Sequence, residues 1–173
     1  ESLDSAWRLS VQQQQSDGFM RNTYLHRDDT NDRDELTGRF KWHWDASELT
    51  QVDFTLLHAD LDNGYDGWAI DNSRVTLSDE PGEDSQRATG ASARLTTTAW
   101  LPYTLTAVAS YVDSQSTNSF DADWGNPESW GRFTYDYFQR SDRDRTAGTF
   151  EVRLASPDAT APGELAWLAG AYA

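Results

Sequence analysis

DELTGRFKWHWDASELTQVDFTLLHADLDN, residues Asp34 to Asn63, is the stretch from which the fold can be read. Leu36, Phe40, Trp42 and Trp44 fall on one parity, and Thr37, Arg39, Lys41 and His43 on the other. That period of two is the signature of a strand with one apolar and one wetted face. After Asp45-Ala46-Ser47-Glu48 the chain returns with Val52, Phe54 and Leu56 on one parity and Gln51, Asp53 and Thr55 on the other. The unit is an antiparallel hairpin with two tryptophans crowding its tight end, and acidic sequence with Asn and Gly leaves its open end.

The rest of the chain repeats this arrangement. Upstream, Trp7, Leu9 and Val11 alternate with Arg8, Ser10 and Gln12, giving a first strand over Ala6 to Gln15. Phe19 to Asp34 has neither period and reads as a long polar loop. Downstream, Asp62 to Ser85 holds Asn63-Gly64, Asp71-Asn72 and Pro81-Gly82, three turn signals that predict a second long loop. Gln86 to Trp100 is the fourth strand, Leu101-Pro102 a tight turn, and Tyr103 to Tyr111 the fifth strand. Asp113 to Asp142 is a third long segment rich in acids and aromatics. Asp144 to Ser156 is the sixth strand, Pro157 to Gly163 a short connection, and Leu165 to Ala173 the start of a seventh. The expected fold is all-β, an antiparallel up-and-down meander of about seven strands.

Long and short connections therefore alternate, as they do in a transmembrane barrel with short periplasmic turns and longer extracellular loops. Trp42, Trp44, Trp100, Tyr103 and Trp167 all lie near the three short turns, where an interfacial girdle belongs. About two thirds of the 29 acidic residues fall in the three long connections, so the outward strand faces are expected to be nearly uncharged. The competing fold is a soluble β-sandwich whose apolar parity faces a second sheet, because alternation by itself does not distinguish lipid from a protein core.

Composition narrows the functions. A net charge of −15 over 173 residues, with no basic stripe in the sequence to neutralise phosphates, argues against nucleic acid as a partner. Without cysteine there is no disulfide and no thiolate chemistry. No apolar run approaches the ~18 residues of a membrane helix, whereas a barrel strand needs only ~9 to 11 alternating residues. The length suits one domain or a piece of a larger one, and the chain begins at Glu1 without Met and in mid-pattern. His26, His43 and His58 have no metal-ligand spacing on one element, and His43 reads as a polar-face residue beside Lys41. Asp60-Leu61-Asp62-Asn63-Gly64 has part of a calcium loop, but its Gly comes one position early and the closing Glu is missing. Acids are abundant, yet no acid, base and nucleophile set stands apart, so no enzyme, metal site or cofactor is expected.

Four stretches carry a resemblance: RDDTNDRDELTGRFKWHW (Arg27 to Trp44), LLHADLDNGYDGWAIDNSRVTLSDEPGEDSQ (Leu56 to Gln86), SFDADWGNP (Ser119 to Pro127) and TFEVRLAS (Thr149 to Ser156). In order and spacing they resemble the barrel portion of TonB-dependent outer-membrane receptors. The resemblance implies a partial barrel segment, with the plug domain and the remaining strands of a barrel of about 22 absent. It places the chain in the outer membrane of a Gram-negative bacterium, in contact with lipid. It also implies an inner-membrane energy-coupling complex acting through the plug, and uptake of a scarce small molecule such as a ferric siderophore. In such a barrel, Trp68, Arg74, Trp124, Trp130 and Arg132 are loop residues able to stack on, or pair with, an organic anion. The alternatives are a soluble extracellular module binding carbohydrate through exposed Trp and Tyr, and a passive porin-like barrel.

Overall fold

The computed structural model describes residues 4–99, 102–157 and 165–173. Seven strands form a single antiparallel meander: β1 (Ser5–Ser16), β3 (Arg33–Ser47), β4 (Thr50–Tyr65), β6 (Gly82–Thr97), β7 (Thr104–Asp121), β8 (Phe138–Ala155) and β9 (Leu168–Tyr172), hydrogen-bonded in that order. Two short strands, β2 (Arg21–Asn22) and β5 (Val75–Thr76), pair in parallel outside this sheet. The sheet is not closed. β1 and β9 each have one unpaired edge among the described residues.

Directly paired residues share a face, so the register sorts the side chains. One row runs Trp44, Val52, Leu95, Ala107, Val152 and Ala171 across the sheet. The next runs Trp7, Trp42, Phe54, Ala93, Ala109 and Phe150, and a third Leu9, Phe40, Leu56, Ala91, Tyr111 and Gly148. These rows make an apolar band over which the described residues place no sheet or helix. Trp7 is 71% exposed and Phe150 53%, while Met20 is the one buried hydrophobic side chain among the described residues. Opposite the band lies a polar face, with Arg8, Lys41, Thr55, Ser92, Ser110 and Thr149 in one row. Hydroxyl pairs such as Ser110 Oγ to Thr149 Oγ1 at 2.6 Å tie neighbouring strands there.

The strands run further than the sequence alternation indicates. β4 continues to Tyr65, β6 begins at Gly82, β7 continues to Asp121 and β8 begins at Phe138. The second and third long connections contract to residues 66–81 and 122–137, while the first shifts to residues 17–32. Beyond the band both faces are wet, so the period-two signal disappears, but the backbone ladder does not depend on it. β7 and β8 stay in register from Thr104↔Ala155 to Asp121↔Phe138. Many of the acids therefore sit on strands instead of loops. Asp34, Asp60, Asp62, Asp113, Asp142 and Asp144 lie on the parity of the apolar band, above it, and the expectation of a nearly uncharged outward face holds only within the band. Asp60 to Gly64 is likewise extended strand. Its carboxylates cannot wrap an ion as a calcium loop does, and Asp60 instead pairs with Arg87 at 3.2 Å.

Close backbone approaches mark the upper ends of the strands. A Cβ at Gly82 would lie 1.9 Å from the Ser119 carbonyl oxygen, and one at Gly64 would lie 2.6 Å from that of Thr30. Glycine is required at both positions because backbone occupies the space a side chain would need.

Candidate functional site

The three long connections fold onto one another through buried polar groups. Asp66 Oδ2 accepts from Asn22 Nδ2 at 2.9 Å and from Thr76 Oγ1 at 2.7 Å. Asn22 also donates to the Ser78 carbonyl at 2.8 Å and accepts from the Leu25 amide at 2.9 Å. The parallel β2–β5 pair fastens the first connection to the second, supplemented by Arg21 N to Arg74 O at 3.0 Å and Thr23 N to Thr76 O at 3.1 Å. The second connection is fastened to the third by Asn126 Nδ2 to Leu77 O at 2.8 Å and Asp79 N to Gly125 O at 2.9 Å. Asn22, Thr76, Ser78 and Asp66 are all fully or nearly fully buried. A buried amide or carboxylate is tolerable because it is bonded, and stripping one partner costs about 1–3 kcal/mol. These bonds turn three loops into one crown.

On this frame sits an aromatic array. Trp68 and Trp124 stack with ring centroids 5.7 Å apart and planes 14° from parallel. Trp124 holds φ at 63°, a left-handed conformation that bulky side chains rarely adopt. Its cost, of order 1–3 kcal/mol, is offset where Asp121 Oδ1 accepts the amides of Asp123 and Trp124, each at 3.0 Å. Asp121 thereby sets the turn that lays Trp124 on Trp68. Further along, Trp130 meets Tyr135 edge to face at 5.9 Å. Tyr135 stacks on Phe133 at 6.5 Å and on Tyr137 at 6.0 Å. The Arg132 guanidinium lies 5.0 Å from the centre of the Phe133 ring. Asp123 Oδ2 closes the loop by accepting the Tyr137 amide at 2.9 Å.

Among the sequence-chosen ligand residues, the structure thus joins Trp68 to Trp124. Trp130 stands alongside, its Nε1 lying 3.1 Å from where a Gly125 Cβ would be. Arg132 caps Phe133. Arg74 is not drawn into the array: its carbonyl serves the β2–β5 frame, and its side chain makes neither an ion pair nor a cation–π contact among the described residues. Phe133, Tyr135 and Tyr137 complete the array without having been singled out, although their spacing of two in FTYDY was visible. Asn22, Asp66, Thr76 and Asn126 carry the frame with no local sequence signal, since their partners are distant in the chain.

The crown is also acidic. Burial pushes the Asp121 and Asp79 carboxyls above the usual range, and neighbouring carboxylates add to it: Asp123 in both cases, and Asp136 for Asp79. Glu80 moves the same way, by desolvation first and then by Asp136, Asp79, Asp121 and Asp123. Half-exposed rings (Trp68 49%, Phe133 54%, Tyr137 61%) backed by a fixed frame suit stacking contacts with sugar rings or planar organic groups.

At the other end of the sheet, Trp42 and Trp44 stack at 5.7 Å on the apolar face, with Trp42 Nε1 donating to Ser5 Oγ at 2.7 Å. Tyr103, just before β7, and Trp167, just before β9, meet at 5.1 Å below the band. Trp100, the fifth residue of the expected girdle, lies outside the described residues. No protein-family model matches the chain, and neither a curated protein nor a solved structure matches it.

Proposed function

We propose that the chain is a stretch of an outer-membrane receptor barrel, of the TonB-dependent kind it resembles, that captures a scarce small molecule for uptake. The observation that carries this reading is the uncovered apolar band. A soluble sheet of this size buries its apolar face against a second layer, whereas here Trp7, Leu9, Leu56, Tyr111 and Phe150 of that face stand exposed and Phe40, Trp42, Trp44 and Phe54 are only half-buried. From Tyr103 to Tyr111 the band fits the ~9 to 11 residues that a tilted strand needs to cross hydrocarbon. Paired aromatics border it at the tight-turn end, and strands wetted on both faces rise from the other end, an arrangement that suits lipid below and water above. The aromatic crown is then the ligand-facing surface. Uptake through it would draw on the inner-membrane energy-coupling complex by way of a plug.

Cysteine placed at Asp71, in the crown, or at Ser47, in the β3–β4 turn, tests this reading on intact cells. A membrane-impermeant thiol reagent is expected to label Asp71→Cys and spare Ser47→Cys. Equal labelling of both, or a protein that stays monodisperse without detergent, removes the membrane assignment.

A further inference from the structure

In a chain of net charge −15, one patch of the polar sheet face is cationic. Arg8, Lys41, Arg94 and Arg153 line a recess of about 620 Å³ in which Asp53 is the one carboxylate. Arg8 and Lys41 are direct cross-strand partners, an arrangement that opposes like charges and costs stability. Arg94 stands directly across from Asp53, but that carboxylate is engaged by His43 Nδ1 at 2.8 Å. Arg153 is held by Glu151. Arg8, Lys41 and Arg94 make no ion pair among the described residues.

A solvated strand face would intersperse its charges, as the sheet does higher up, where Arg87 meets Asp60 and Arg140 meets both Asp142 and Glu83. Here Arg8 faces Lys41, and neither they nor Arg94 find an ion-pair partner among the described residues, which is the mark of a site completed by something else. We propose that this recess binds a small polyanion carrying two or more carboxylate or phosphate groups. Two guanidinium forks and an ammonium match such groups, with the forks able to engage them in bidentate fashion. Short Thr55 and Ser92 side chains leave room between the cations, and the volume is that of a small-molecule site. The recess is separate from the aromatic crown, lying on the polar face near the tight-turn end of the strands. The inference stands on that face whether or not the opposite one meets lipid.

The test is isothermal titration of the full-length protein with tripolyphosphate and with citrate, at low and raised salt. Wild type is expected to bind tripolyphosphate in a salt-sensitive manner. Lys41→Gln combined with Arg94→Gln should weaken it by about tenfold or more. Arg87→Gln, on the opposite face, should leave it unchanged. Arg8→Gln alone provides the same comparison if the double variant does not fold. The ligand-free double variant should be at least as heat-stable as wild type, because a like-charge repulsion is relieved. The proposal is overturned if wild type binds neither probe, if the double and single variants bind as wild type does, or if a hexaglutamate peptide binds more tightly than tripolyphosphate, which would make the occupant an acidic chain. A protein that binds tripolyphosphate yet needs no detergent would sink the membrane reading and leave this one standing.

Discussion

The two halves of each long strand obey different rules on one continuous backbone. Between Leu105 and Tyr111, β7 alternates apart from Val108, and its apolar parity joins a band that crosses the sheet. Between Asp113 and Asp121 the same strand carries Asp, Ser, Gln, Thr and Asn on both faces, and its pairing with β8 continues unbroken. The hydrogen-bonded ladder is thus indifferent to what the side chains face. On the proposed membrane reading, an apolar surrounding on one side dictates the patterning of the lower half, while water on both sides of the upper half removes that constraint. Cross-strand pairs such as Thr146 Oγ1 to Asp113 Oδ2 at 2.8 Å and Thr117 Oγ1 to Asp142 Oδ1 at 2.7 Å decorate the upper ladder. Exposed polar contacts of this kind add little stability. The upper half is held instead by its continuity with the lower and by the crown that clamps its ends.

Charge insertion should break this comparison most sharply. Ala109→Arg, in the apolar band, is expected to cost about 2–4 kcal/mol in reversible unfolding from lipid vesicles. Gln115→Arg, on the same parity but above the band and flanked by Arg87 and Asp144, should cost less than about 0.5 kcal/mol. Equal costs at the two positions would mean that no change of surroundings separates the halves.

A smaller effect is expected from the crown's frame. Asn22→Ala leaves Asp66 and the Ser78 carbonyl each short of one bond. The expected loss is about 1–3 kcal/mol of local stability. It should appear as faster hydrogen exchange in residues 17–32 and 66–81 with no change in the lower strands. Loss of protection across the whole sheet would show that the crown and the band unfold as one unit.

The smallest effect concerns pH. Asp121 and Asp79 are pushed up in the folded crown, chiefly by burial, and return to ordinary values when it opens. Between the open and folded values the folded crown holds more protons, so its stability rises as pH falls through the folded values and is lost as pH climbs above them. Hydrogen exchange in residues 122–137, normalised to unstructured-peptide rates, should therefore be slower at pH 5 than at pH 7. Asp121→Asn should flatten much of that difference, while the band shows none.

How far the molecule could be read from its residues follows the same division. Trp42, Trp44, Phe54 and Val52 announced the β3–β4 hairpin because alternation is imposed wherever one face is apolar. The strand segments of Asp113 to Asp121 and Phe138 to Asp142 read as loop because, with both faces polar, nothing in the residue order distinguishes a paired strand from a coil. At the crown, Trp68 and Trp124 were marked as candidates by type and position. Their stacking depends on the turn at Asp121, and the Asn22–Asp66 bond that steadies the neighbouring loops joins residues 44 apart in the chain.

The sequence by itself determined an all-β meander, the order of its strands, the alternation of long and short connections and the parity that is apolar, because these follow from local periodicity and turn chemistry. Only the tertiary structure decided how far the strands extend, which loops interlock, and that Arg8, Lys41 and Arg94 share one recess. Those depend on cross-strand register and on contacts between residues remote in the chain, and a one-residue shift in register would have sent each of these side chains to the opposite face.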